Sequence, residues 1–219
     1  NTTYIVNGSL NSATMTLSSY GATEGWGGHR ATKAWYGLFG SLGTSTDDRA
    51  QLFWTAGHTY EMTDYKEWTN GYPSIKFRNS NFIGGTTPTS FSGTDFPLFR
   101  LADAYLMYAE CVVRGATGGS ISQAVDYVNA VRERSNASII TAGDLTLNFL
   151  IDERGRELNL EGHRRSDLIR FGMFTGGSYL WPWKGNALNG TSIPSTYKLF
   201  PIPVQALQAN SNLTQNPGY

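Results

Sequence analysis

Apolar residues recur at helical spacing mainly in the second half of the chain. Leu98, Leu101, Ala102, Tyr105, Ala109 and Val112 fall on one face of a helix for which Asp95 is a candidate cap, Pro97 lies in the first turn and Gly115 is the stop. A second stripe, Ile121, Ala124, Val125, Val128 and Val131 or Arg132, predicts a helix to Ser135, and Ser120 and Gln123 before it have capping-box spacing. A third stripe, Leu147, Leu150, Ile151 and Leu158, predicts a helix from about Leu145 to Leu160 that stops at Gly162, before a short helix with Leu168, Ile169 and Phe171. Tyr197 to Phe200 reads as a strand closed by Pro201 and Pro203, and Pro203 suits the first turn of a last helix, Val204 to Ala209.

The first half reads differently. Residues 1–45 are rich in Gly, Ser and Thr, and only Thr3 to Val6 and Thr14 to Leu17 have strand-like propensity. Residues 31–39 suit a short helix burying Trp35 and Phe39. Leu52 to Trp54 and Ser74 to Phe77 read as strands of a small sheet separated by a turn at Asn70-Gly71, and Gly84 to Gly93 reads as a flexible insertion. The expected fold is mostly α, with tetratricopeptide-like helical hairpins, long loops and a small β-sheet. Residues 1–94 form its loop-rich region and residues 95–219 its helical region, together one structural unit.

Composition narrows the partners. A chain of 219 residues, 40% hydrophobic and 16% charged, can bury a full-sized core. Its formal net charge of zero argues against nucleic acid or an anionic membrane surface, since neither is held well without a basic face. Aromatic residues reach 13%, with six Trp and twelve Tyr, and exposed rings are natural platforms for the apolar faces of sugars, although most rings in a protein serve the core. The single cysteine, Cys111, allows no internal disulfide, and its apolar helical surroundings suggest a buried, inert thiol. No run of apolar residues is long enough to cross a bilayer. The start at Asn1, without an initiator Met or a signal peptide, leads to the expectation that a segment has been removed.

Candidate chemistry lies in five places. Glu153, Glu157 and Glu161 stand at i, i+4 spacing, which in isolation would suit an acid/base pair or a cation. Arg154, Arg156, Arg164 and Arg165 are interleaved with them and would hold every carboxylate ionised, so an ion-paired helix is the better reading. His29, His58 and His163 lack metal-site spacing; neither a metal nor a cofactor is expected. Asp47-Asp48 suits a weak surface cation or a cap. Ser19 to Gly28 places four glycines around Tyr20 and Trp26, so the loop either presents two rings to solvent or is a connector whose Trp tucks into the core. Trp181-Pro182-Trp183 is a second aromatic cluster, a sugar platform or a hydrophobic plug.

Four motifs in order carry a family resemblance: Glu153 to Leu158, Glu161 to Gly172, Phe200 to Pro203 and Asn210 to Tyr219. Together they resemble the C-terminal half of the SusD-like (RagB/SusD) family, surface glycan-binding lipoproteins of Bacteroidota outer membranes, over about Trp26 to Tyr219. The departure is Gly155, where the family carries Arg or Lys and a mid-helix glycine costs roughly 1 kcal/mol. The resemblance implies a non-catalytic protein that captures oligosaccharide and passes it to a TonB-dependent outer-membrane transporter. It also implies a lipid anchor in a missing N-terminal part, and loops that grip glycan with aromatic and polar side chains. Tyr20, Trp26, His29 and Arg30 are the leading ligand-binding residues on that basis, and residues 70–77 and 209–219 resemble the starch-binding branch. The rival readings are a helical-repeat module that binds protein only and a glycoside hydrolase.

Overall fold

The computed structural model describes residues 2–80 and 91–219. The chain forms two compact units, Asn1–Arg164 and Arg165–Tyr219. The first holds α1 (Thr3–Gly8), α2 (Lys33–Tyr36), α3 (Leu101–Val113), α4 (Ile121–Glu133) and α5 (Leu147–Glu157); α6 (Arg164–Arg170) leads into the second, which also holds α7 (Val204–Ala209). The mostly helical class is as expected. Gly84 to Gly93 lies largely outside the described residues.

The three long helices follow the apolar stripes. Helices α3 and α4 pack as an antiparallel hairpin, and α5 closes a core of Leu106, Ala109, Ala124, Val128, Leu145, Leu150 and Leu158. The Ser120 hydroxyl accepts from Gln123 N at 3.2 Å and caps α4, and Thr146 caps α5 through Phe149 N at 3.1 Å. Helix α3 starts later than its stripe suggests. Arg100 is its N-cap residue, with extended backbone and a side chain donating to Glu157 and Glu161, and Leu98 and Leu101 are exposed. Cys111 is exposed, not buried: it lies off the Ala102–Leu106–Ala109 face.

Gly155 has a local reason. A Cβ there would lie 2.9 Å from Leu38 Cδ1 and 3.0 Å from Arg164 Nη1, so glycine lets both side chains lie against the middle of α5. Arg164 Nη1 uses that approach to donate to Ile151 O at 2.7 Å.

Two smaller cores organise the loop-rich part. Val6, Leu10, Met15, Tyr20 and Ile75 form one; Ala31, Tyr36, Phe39, Ala50 and Phe53 form the other. Residues 3–6 are helical rather than extended, with the Thr2 carbonyl accepting from Ile5 and Val6 N, and Leu17–Tyr20 is a 3₁₀ turn. The segment 70–75 pairs with three partners in turn, by single bridges: Asn70 with Thr59, Tyr72 with Ala31, and Ser74 with Phe53. Each residue pair belongs to a different neighbouring segment, so the strands expected at 52–54 and 74–77 meet at one antiparallel bridge and no longer ladder forms. In the second unit Ser195–Lys198 is a 3₁₀ turn rather than a strand, started by Pro194, whose carbonyl accepts from Tyr197 N.

A candidate aromatic binding face

The end of α1 builds the face. The Asn7 carbonyl accepts from Trp26 N at 2.9 Å, the Gly8 carbonyl from Gly28 N at 2.9 Å and His29 N at 2.6 Å, and the Leu10 carbonyl from Gly27 N at 2.7 Å. This lays residues 26–29 along α1 and brings the rings of Tyr4 and Trp26 to 6.2 Å and those of Tyr4 and His29 to 4.4 Å. Gly8 makes room for the imidazole: a Cβ there would lie 2.4 Å from His29 Nδ1, and the ring would have to shift. Tyr4 is 61% exposed and Trp26 49%, so two ring faces meet solvent side by side. Trp26 Nε1 donates to Glu24 Oε2 at 3.3 Å, which orients the indole.

Arg30 braces the loop from behind. Its Nε donates to Asn70 O at 3.0 Å, Nη1 to Gly28 O at 2.9 Å and Nη2 to Tyr65 O at 2.5 Å, while its guanidinium lies 5.7 Å from the Trp68 ring centre. Three backbone carbonyls therefore occupy donors that a ligand would otherwise use. His58 packs edge-on to Trp68 at 5.0 Å and bonds Gly71 O through Nδ1 at 2.8 Å. Burial lowers the pKa of both His29 and His58, and a nearby Arg30 charge lowers His58 further against the Gly71 bond. Both rings are thus neutral at pH 7.

Of the four residues singled out from sequence, Trp26 and His29 meet on one face and Arg30 holds that face in place. Tyr20 does not present its ring to solvent. It is 6% exposed, packs with Val6 and Leu10 in the core below, and lies under the Arg78 guanidinium at 5.3 Å. Tyr4 was not legible as a partner, since its segment carries a strand-like pattern. In the second unit Trp181 stacks on Phe174 at 6.1 Å above the buried Lys184, whose Nζ donates to the Gly176 and Tyr179 carbonyls at 2.8 and 2.7 Å. Trp181, Pro182 and Trp183 are half-buried there.

The glutamate series is buried and ion-paired, chiefly with cations from outside its own helix. Glu157 is held by Arg49, Arg100 and Arg134 at 2.6–2.8 Å. Glu153 is held by Arg49, Arg132 and Arg156 at 2.6–2.8 Å. Glu161 is held by Arg100 at 2.6 Å and by Lys76. Of the interleaved arginines, Arg156 joins the series, whereas Arg154 pairs with Asp103 at 2.7 Å and Arg165 donates to the Tyr197 and Lys198 carbonyls. Burial pushes the Glu157 carboxyl up, but the Arg134 and Arg100 hydrogen bonds outweigh it and hold its pKa at about 2. Such a carboxylate cannot donate a proton near neutral pH. Asp47 caps a 3₁₀ turn by accepting from Arg49 N at 3.0 Å, and among the described residues no group of three or more His, Cys, Asp or Glu is arranged to hold a metal ion.

The first unit thus joins a helical-hairpin scaffold to long loops, an ionised glutamate cluster and an exposed aromatic face. The SusD family model matches residues 44–219, and the chain belongs to that family. It is 43% identical over 177 residues to the starch-binding protein SusD of Bacteroides thetaiotaomicron, covering 79% of this chain and 31% of that protein. It is 38% identical over 133 residues to SusD-like protein P25 of Formosa agariphila, covering 56% and 24%. The chain therefore spans about a third or less of these curated relatives. Among solved structures, a SusD superfamily protein from Bacteroides vulgatus superposes with TM-score 0.62 at 25% identity, covering 86% of this chain and 39% of that one. Surface glycan-binding protein A from Bacteroides fluxus has the same fold, with TM-score 0.64 at 21% identity, covering 99% and 45%.

Proposed function

We propose that the protein is a non-catalytic, cell-surface binder of neutral oligo- and polysaccharide, with the Tyr4–Trp26–His29 face as its contact. The observation that carries this is the pair of solvent-facing rings held by a glycine-rich loop bonded to the end of α1, beside the neutral His29 imidazole. Two rings at 6.2 Å offer a tilted platform on which the C–H faces of sugar rings stack. Tyr20 and Arg30 act beneath it, one by filling the core under the loop and the other by tying Gly28 to Asn70. An α-glucan such as starch is the preferred ligand, because the 43% identical relative is a starch-binding protein. Outer-membrane attachment through a lipid anchor and delivery of the captured glycan to a TonB-dependent transporter complete the proposal, on the strength of family membership.

Affinity electrophoresis through gels containing starch, other α-glucans, fructan or xylan tests it, with reducing-sugar release measured in parallel. Retardation by one polysaccharide without hydrolysis is the expected result. Retardation by none overturns it in favour of a module that binds protein alone.

A further inference from the structure

A groove of about 540 Å3 opens elsewhere in the loop-rich part, lined among others by Ser41, Gln51, Phe53, Thr55, Tyr60 and Tyr72. Its size falls within the range of about 300–1,000 Å3 that small-molecule clefts occupy. The walls are fixed from behind by Tyr36, which is wholly buried and packs against the Tyr60 ring at 5.0 Å and the Tyr72 ring at 4.4 Å, with its hydroxyl donating to the Tyr60 carbonyl. Tyr60 and Tyr72 meet at 6.3 Å and an interplanar angle of 72°, which makes an aromatic corner, and Tyr60 is 44% exposed. The lip is the turn at Gly40, whose φ of +69° only glycine adopts without strain.

The groove's chemistry selects its occupant. Among the described residues that line it there is no Asp, Glu, Lys, Arg or His. An anionic ligand finds no cation there and a cationic one no carboxylate. A wholly apolar occupant would strip water from Gln51, Ser41 and Thr55 and leave their polar groups without partners. A hydroxyl-bearing ring with an apolar face satisfies both kinds of wall. The groove also adjoins the segment that carries the first face: Tyr72 pairs with Ala31 through both backbone bonds, at 2.8 and 3.2 Å, one step from the Arg30–Asn70 contact.

We propose that this groove is a second saccharide subsite, separate from the Trp26 face, in which a neutral sugar ring stacks on Tyr60 and is hydrogen-bonded by Gln51, Ser41 and Thr55. The inference rests on the glycan-binding reading above and extends it from one contact to two. Starch-gel retardation of the wild type, Gln51→Ala, Tyr60→Ala and Trp26→Ala tests it, with melting temperatures taken on each. Gln51 is exposed, so its truncation leaves the aromatic corner intact and serves if Tyr60→Ala disturbs folding. Expected is a loss of apparent affinity of about 3- to 10-fold in Gln51→Ala with an unchanged melting temperature, and a similar loss in Tyr60→Ala. Unchanged retardation of Gln51→Ala alongside weakened Trp26→Ala overturns the second subsite and leaves the first standing. A wild type that no polysaccharide retards overturns both.

Discussion

Replacing Glu157 by Gln isolates the electrostatic core of the fold. The side chain keeps its shape but loses the charge on which Arg49, Arg100 and Arg134 converge, and its amide turns N–H donors toward guanidinium donors. Holding the carboxyl at about 2 rather than 4.5 corresponds to about 3 kcal/mol of stability at neutral pH. The about 3–5 kcal/mol usually lost when one partner of a buried ion pair is removed agrees. The sign follows from linkage: the folded-state pKa lies below the unfolded one, so this stabilisation is fully present above pH 4.5 and fades as pH falls toward 2. Urea unfolding followed by tryptophan fluorescence, repeated from pH 7 to pH 2, reads the difference between wild type and Glu157→Gln. The variant is expected to be about 3 kcal/mol less stable at pH 7, with the gap closing between pH 4.5 and 2. A gap below about 1 kcal/mol at pH 7, or one that does not change with pH, refutes the reasoning.

Trp26→Ala should weaken binding of the retarding glycan about 3- to 10-fold without moving the melting temperature, as read by isothermal titration and a thermal melt. Gly71→Ala should destabilise by about 2 kcal/mol or more, because φ is +72° and the new Cβ would lie 2.4 Å from the Ala31 carbonyl; denaturant midpoints check it. The exposed Cys111 thiol should react with Ellman's reagent in the native protein as fully as in denaturant, whereas protection in the native state would contradict its placement.

What could be read from the sequence was local. Helix α4 was legible because its stripe and its Ser120 cap lie within one segment; glycine density marked residues 19–28 as a loop but left open whether its rings meet solvent or the core. The partners of Glu157 were not legible: Arg49 lies 108 residues away and Arg100 lies 57 away, and neither belongs to the helical spacing that suggested ion pairing. Tyr4 was hidden for a related reason. The pattern of residues 3–6 is extended, yet the carbonyls of Asn7 and Gly8 make the helix worthwhile by receiving the loop from 26 to 29. Tyr20 was misjudged because the glycine-rich run around it allows either direction, and the Val6–Leu10–Ile75 cavity it fills is assembled from distant segments. Cys111 could have been placed from its own helix: it falls off the stripe that defines the buried face.

The Tyr4–Trp26 face is proposed to hold glycan without cleaving it. Its most direct test is isothermal titration of the wild type and a Tyr4→Ala/Trp26→Ala double variant with the polysaccharide that retards the protein in gels, with reducing ends assayed on the same samples. Expected are binding by the wild type, affinity at least about tenfold weaker in the folded double variant, and no new reducing ends. Equal affinity in the double variant, or sugar release by the wild type, would contradict it.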